Sequence, residues 1–474
     1  MPIDTHTKIL ATVGPSSASK EQLSALMDAG VDAFRINFSH GTHAEHKQRI
    51  KIIRSLEKEK GRFVSILADL QGPKLRVGDF KEDKVWLEDG QKFVLDMKKD
   101  LGDNKRVCLP HKEIFAALKV GDKLLVNDGY IVLKVTSCGK NFAETKVVVG
   151  GYISSHKGVN LPNTTLKISA VTPKDEEDLK FALKNDVDWI GLSFVQKAQD
   201  IKNVKKMVAG KARIIAKLEK PSAIDDLTAI VEEADAIMVA RGDLGVECPL
   251  PAVPVLQKKI VEMCRLYAKP VIVATQMLES MIVKPTPTRA EVSDVATAVY
   301  DGADAVMLSA ETAAGKYPVE AVQMMHSTIS QVEKDSLFFE MMSNSRKYPC
   351  MADEADAITF AASELAGILK NVKAIVSYSS SGFTTFLTAR ERPSLPIVSL
   401  SPDIKVARQM CLVWGVRSDI NKESFKKFAN VEACAVKFVK ENGLAKAGDH
   451  IIITAGFPLN VKGRTNMLHT VYIK

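Results

Sequence analysis

Short apolar runs alternate along the chain with longer stretches whose apolar residues recur every three or four positions, the periods of buried strands and amphipathic helices. Residues 8–13 (Lys-Ile-Leu-Ala-Thr-Val) read as a strand closed by Gly14 and Pro15. Ser19 with Gln22 makes a capping pattern ahead of a helix carrying Leu23, Leu26 and Met27. Residues 31–36 predict a second strand, 42–60 a heavily charged helix and 63–68 a third strand. Strand, helix, strand, helix, strand calls for a parallel sheet. From residue 72 to 162 the period changes. Segments at 85–87, 92–95, 123–126, 131–135 and 146–149 are strand-like, and turn residues such as Asp89-Gly90, Gly121-Asp122 and Asp128-Gly129 separate them. This stretch predicts a small all-β insert in one loop of the larger domain, placed as a lid at a strand end.

The first rhythm then resumes. Thr172 and Pro173 open a helix, and strands follow at 188–193, 212–217, 234–239, 270–274 and 303–308, each trailed by a helical pattern. Thr288 with Glu291 caps one of these helices. The count reaches eight strand–helix pairs, which favours a closed (β/α)8 barrel of the TIM type over an open sheet. Beyond the polar stretch 343–350, strands at 374–377, 396–400 and 450–454 belong to a further small α/β domain. The predicted division is a barrel at 1–70 and 163–342, an inserted β-barrel lid at 71–162 and a C-terminal α/β domain at 343–474.

Composition narrows the function class. The net charge of +8 is modest for 474 residues, and no basic run with interleaved aromatics suggests nucleic acid. No apolar run reaches the length of a membrane span. Seven cysteines without a CxxC pair argue for free thiols in a reducing compartment, so a cytoplasmic location is expected.

The chemistry gathers where the barrel strands end, the rim at which such barrels place their sites. Lys217 and Glu219 alternate with Leu218 and so share one side of their strand. Arg35, Asn37 and Ser39 share a face of the second strand, which runs into His40; Asp69 ends the third, with Arg76 beyond it. The sixth strand runs into Arg241-Gly242-Asp243, the seventh ends at Thr275 and the eighth at Ser309. One polar strand end is ordinarily a helix cap; six together are a site. The inventory of arginines, a lysine, two carboxylates and hydroxyls suits an anionic phosphorylated substrate with Mg2+ or Mn2+. A Walker loop, HExxH and GxSxG are absent.

Several of these stretches resemble the pyruvate kinase family: Arg35-Ile-Asn-Phe-Ser-His-Gly41, Lys157-Gly-Val-Asn-Leu-Pro162, Ile237-Met-Val-Ala-Arg-Gly-Asp-Leu-Gly245, Ala274-Thr-Gln-Met-Leu-Glu-Ser280 and Met307-Leu-Ser-Ala-Glu-Thr312. The resemblance runs in order from Lys8 to the C-terminus. It implies phosphoryl transfer from phosphoenolpyruvate to ADP in glycolysis, a C-terminal domain for effectors and assembly, and a homotetramer. It assigns Lys217 to the migrating phosphoryl group, Glu219 and Asp243 to Mg2+, and Arg35 and Arg76 to phosphate oxygens. Asn37, His40, Arg76 and Lys157 would face the nucleotide; Gly242, Asp243 and Thr275 would hold the substrate carboxylate; Thr275 and Ser309 would relay a proton. Phosphorylated effectors would bind at Ser379, Ser380, Ser381, Gly382 and Thr384, with Thr385 as a further donor. Phe383 stands there where relatives often carry a basic residue, which points to a monophosphate or to no activator. The family's monovalent-cation site would fall at Asn37, Ser39 and Asp69. Here Leu70 and Lys74 replace a threonine and a glutamate of Asp-Thr-Lys-Gly-Pro-Glu, so K+ independence is expected, with Lys74 supplying the charge.

Two other functions fit the residues less well. A barrel enzyme of carbon–carbon bond chemistry could use the same carboxylates but needs neither Lys157 nor ADP. A non-catalytic metabolite-binding relative is expected to lack Lys217, Glu219 or Asp243, all of which are present.

Overall fold

The computed structural model describes residues 5–162, 169–344, 353–420, 425–461 and 463–474; of the polar stretch 343–350, residues 343 and 344 end a helix and 345–350 lie outside the described residues. Eight parallel strands close into a barrel: Lys8–Val13, Ala33–Asn37, Ser65–Asp69, Trp189–Leu192, Arg213–Leu218, Ala236–Ala240, Val271–Ala274 and Ala305–Leu308. They pair in sequence order around the ring, and the first closes on the eighth with Lys8 opposite Ala305.

The period-two alternation of each strand decides which side chains face the axis. Leu10, Leu67, Trp189, Ile215, Met238, Ile272 and Met307 form one buried cluster inside the ring. Their neighbours Ile9, Ile66, Ile190, Ile214, Ile237, Val273 and Val306 pack outward under the helices. The inner cluster continues into Phe386, Met410, Leu412, Val413 and Val416. The C-terminal domain therefore plugs the amino-terminal mouth of the barrel and leaves the carboxyl mouth free. Stepping two residues up from the inner layer reaches Thr12, Arg35, Asp69, Gly191 and Lys217. That step is the reason polar residues converge at the rim.

The insert has its own core, including Leu87, Phe93, Leu124, Leu133 and Ile153, and its own sheets. Lys84–Leu87 pairs with Gly151–Ser154, and a six-stranded sheet is built on the long hairpin Ile131–Gly139 and Phe142–Val149. It also contains a strand at Arg106–Cys108 and a helix at Lys112–Ala117 that the hydrophobic pattern did not predict. The C-terminal sheet has five strands where the sequence indicated three. Val416–Ile420 and Met467–Tyr472 occupy its two edges. Edge strands are half solvated and carry polar residues, so they lack the apolar run of a central strand. Among the described residues, no helix is long and apolar enough to cross a membrane.

Candidate active site

The rim cluster centres on the Lys217 ammonium. Its Nζ donates to Ser193 Oγ at 2.8 Å and meets Glu219 Oε1 at 2.9 Å and Asp69 Oδ1 at 3.3 Å. The last is an ionic contact, since Asp69 Oδ1 accepts no hydrogen bond. Asp69 Oδ2 takes Arg35 Nε at 2.6 Å, and the Arg35 guanidinium also reaches Thr12 Oγ1 at 3.2 Å. Ser193 in turn donates to the carbonyl of Leu70 at 2.8 Å. Gly191 makes the arrangement possible, because a Cβ there would lie 2.9 Å from Asp69 Oδ1.

Burial alone would push the Lys217 ammonium toward neutrality, but the charges of Asp69 and Glu219 outweigh it and hold the pKa above the ordinary lysine value. Asp69 is buried too, and Lys217 and Arg35 keep its carboxyl below the usual carboxylate range. Glu219 is pushed up by burial and by the Asp243 charge, against the pull of Lys217. Its Oε2 accepts the Phe194 N–H at 2.9 Å.

Asp243 lies in the short helix Arg241–Glu247, which starts directly at the end of the sixth strand. Its half-buried carboxylate has no hydrogen bond or ion pair among the described residues. The same helix is tied to Thr275. The Gly242 N–H donates to Thr275 Oγ1 at 2.7 Å, Thr275 donates to the carbonyl of Ala274 at 2.6 Å, and Arg241 reaches the carbonyl of Thr275 at 2.8 Å. Arg241 is fixed by two bonds to Asp294 of 2.7 and 2.6 Å. This bracing holds a strained backbone: Thr275 has φ 68° and Gln276 φ 56°, and left-handed geometry is costly for a β-branched residue. Ser309 is joined to the same region through Glu311, whose two oxygens accept the Ser309 N–H at 2.7 Å and the Leu278 N–H at 3.2 Å. Burial raises the Glu311 pKa.

The remaining predicted residues are more dispersed. Asn37 Oδ1 accepts the Ser39 N–H at 3.0 Å, and His40 beyond it is exposed. Arg76 belongs to the lid, bridging to Gly158 and donating to the carbonyl of His156 at 2.8 Å; it has no bond to the Lys217 cluster. Lys157 and Lys74 are half-buried with no side-chain hydrogen bond or ion pair among the described residues, and the Lys74 stem lies close to Gly158, 3.6 Å from where a Cβ would stand. Leu70 is buried in the barrel's outer core. In the C-terminal domain, Ser379, Ser380, Ser381, Phe383 and Thr384 line a small pocket with Asn460 and Arg464, and Gly382 starts the helix Phe383–Arg390. Thr384 shares its hydroxyl with Thr465 at 2.6 Å. Thr385 corrects the expectation of a further donor: it is fully buried and bonded to Ser399 at 3.0 Å, because it faces the sheet.

Sequence reasoning missed Ser193, Arg241's bracing role and Arg464. Ser193 directly follows the fourth strand and was legible by the same rim rule as the others. Arg464 comes from a distant loop that only the fold brings to the serines.

The family model described as pyruvate kinase, barrel domain, matches residues 4–322, and that described as pyruvate kinase, alpha/beta domain, matches 356–471. A pyruvate kinase of Methylorubrum extorquens is 47% identical over 468 residues, 99% of this chain and 97% of that protein. One from Clostridium perfringens is 40% identical over 98% of each chain. The crystal structure of a pyruvate kinase from Cryptosporidium parvum superposes with a TM-score of 0.93 at 32% identity, over 99% of this chain and 96% of that one. With matching models over both its barrel and its C-terminal domain and such relatives along its length, the chain belongs to the pyruvate kinase family.

Proposed function

We propose that the chain transfers the phosphoryl group of phosphoenolpyruvate to ADP at the rim cluster, giving pyruvate and ATP. The observation that carries this reading is the Lys217 ammonium, held charged and oriented on three sides at the carboxyl mouth with the Arg35 guanidinium beside the shared Asp69. A transferring phosphoryl group spreads negative charge over its oxygens, so fixed cations are what its transition state needs. Lys217 and Arg35 supply them from the barrel, and Arg76 approaches from the lid. Asn37, His40 and Lys157 face the nucleotide.

Glu219 and Asp243 fit a hard divalent cation. They offer only oxygen ligands, Asp243 is uncommitted, and the two negative charges disfavour each other, which a cation relieves. Among the described residues no group of three or more such ligands stands together, so water and substrate oxygens would have to supply the other ligands, as Mg2+ ordinarily requires. Bound there, Mg2+ or Mn2+ would add positive charge against the phosphoryl oxygens. A substrate carboxylate at Gly242 and Asp243 would take over the Gly242 N–H now held by Thr275. The Thr275 hydroxyl, no longer accepting from Gly242, would with Ser309 relay a water proton to carbon on exchanging its bond to the Ala274 carbonyl. The same reading keeps the lid at 71–162 and the effector domain at 343–474, in a cytoplasmic homotetramer.

The deciding assay is pyruvate formation from phosphoenolpyruvate with ADP and Mg2+ each omitted in turn. Loss of product in both omissions is expected. Turnover without ADP would instead favour carbon–carbon bond chemistry.

K+ independence has its own support. Asn37 Oδ1 is spent on Ser39, Asp69 is shared by two cations, and Leu70 offers the site only a buried apolar side chain. By the resemblance, the Lys74 ammonium would supply the charge there and repel a second cation. Activity should persist with Mg2+ when tetramethylammonium is the sole monovalent cation. A rate that collapses there and returns on adding K+ would show that Lys74 does not substitute for the ion.

For regulation, hydroxyls and free N–H groups ahead of the helix Phe383–Arg390 make a cradle for one phosphate, and Arg464 adds a cation. A sugar monophosphate, or no activator, is expected. Strong activation by a sugar bisphosphate that disappears in Ser380→Ala would contradict this.

A further inference from the structure

One polar tie between lid and barrel ends on a carboxylate with no part in the chemistry above. Glu247 closes the helix Arg241–Glu247 and is 4% exposed. Its Oε1 accepts Lys220 Nζ at 2.6 Å and Asn160 Nδ2 at 2.8 Å, while its Oε2 is buried without a hydrogen-bond partner among the described residues. Lys220 directly follows Glu219. Asn160 lies in the lid strand Val159–Asn160, three residues after Lys157. The adjoining Val246 packs on the lid's turn at Gly129, where a Cβ would stand 3.7 Å from its Cγ1.

One carboxylate thus ties together three parts of the site: the strand end bearing Lys217 and Glu219, the helix bearing Gly242 and Asp243, and the lid segment bearing Lys157. The helix has seven residues, a length of about 10 Å at the α-helical rise. Rigid over that span, it moves Asp243 whenever Glu247 moves. Only one acceptor atom serves both donors, so a lid displacement that stretches the Asn160 bond also changes what Lys220 holds.

We propose that Glu247 is a positioning residue that couples the lid to the metal-binding carboxylates, with Asn160 as the lid's arm and Lys220 as the strand's. The proposal rests on the reading of Glu219 and Asp243 as metal ligands and of Lys157 as a nucleotide contact. Lid position and divalent-metal affinity then depend on each other, and Asn160 acts on the site only through Glu247.

Asn160→Ala removes the lid arm and leaves the buried Lys220–Glu247 pair in place. Two readouts are needed: KM for ADP and for phosphoenolpyruvate at saturating Mg2+, and direct Mn2+ binding to the full-length protein by electron paramagnetic resonance without substrates. The expected result is a rise of about fivefold in KM for ADP, the equivalent of one good hydrogen bond. KM for phosphoenolpyruvate should stay within about twofold, and the Mn2+ dissociation constant should shift by about fivefold, the low end of a typical coupling. In a Glu247→Leu background, which leaves the Asn160 amide no acceptor there, Asn160→Ala should change KM for ADP far less. An unchanged Mn2+ affinity in Asn160→Ala, or the same effect on ADP in both backgrounds, overturns the coupling. If Glu247→Leu does not fold, the Mn2+ measurement on Asn160→Ala decides alone. Inactivity of the parent chain with phosphoenolpyruvate and ADP would sink the functional reading instead, and the Mn2+ titration would still report on the latch.

Discussion

Replacing Lys217 by Met is expected to lower kcat by about 10²–10³ or more while moving the KM for phosphoenolpyruvate much less. Met keeps the length and much of the volume of the side chain but removes the charge that meets the phosphoryl group in the transition state. Loss of one preorganised electrostatic group typically costs that factor. A group whose contribution appears mainly in the transition state lowers kcat and kcat/KM together. The ammonium is oriented by Ser193, Glu219 and Asp69 before substrate arrives, so its reorganisation cost is already met in the folded chain. Because its pKa lies above the ordinary lysine value, it stays charged at every working pH and contributes no limb to the pH–rate profile. The variant also leaves Glu219 and Asp69 without one counter-charge, so its thermal unfolding should be measured alongside. A folded Lys217→Met protein with near-normal turnover would remove the role assigned to the lysine.

How much of this was written in the sequence depends on the physics that places each residue. Inward and outward alternation in a closed barrel is a local property, so the convergence of Arg35, Asp69 and Lys217 follows from counting in twos from the inner residues Ala33, Leu67 and Ile215. Capping residues are local as well: Thr42, Thr172 and Thr288 each sit at the N-cap with the reciprocal bond of a capping box. The pairings across the rim are not local. Nothing in the spacing shows that Arg241 would turn away from the substrate to brace Asp294 and the Thr275 carbonyl, or that Glu247 would meet Asn160 across the lid boundary. Glu247 follows the recognisable Arg241-Gly-Asp stretch by only a few residues, yet a glutamate at a helix end is far more often a solvated charge than a buried joint. The edge strands of the C-terminal sheet escaped for the opposite reason, since half-solvated backbone leaves little apolar pattern to read.

The union of barrel and C-terminal domain supplies the other large expected effect. The inner core runs from the barrel into Phe386, Met410 and Val413, and beside it Arg408 reaches out of the C-terminal domain to Glu57 of the barrel. Arg408 Nε meets the two Glu57 oxygens at 3.0 and 3.1 Å, and a terminal nitrogen adds a bond of 2.7 Å. Its other terminal nitrogen takes Asp186 at 3.2 Å, and its carbonyl accepts the Ser65 hydroxyl. Glu57 is 4% exposed and Arg408 7%, so truncating the arginine strands a carboxylate that water does not reach. Arg54, 3.5 Å away, compensates only in part because it also serves Asp188 at 2.6 Å. Breaking one side of a buried pair typically costs about 3–5 kcal/mol, and Arg408→Ala should lose stability on that scale by denaturant unfolding. Replacing both partners with apolar residues, Glu57→Leu with Arg408→Met, removes the stranded charge and the desolvation cost together. The double variant should recover most of the loss, because a buried ion pair is costly to break but often replaceable. If the double variant is as unstable as the single one, the arginine holds the domains together through its stem and its Ser65 contact, and the ion pair is incidental.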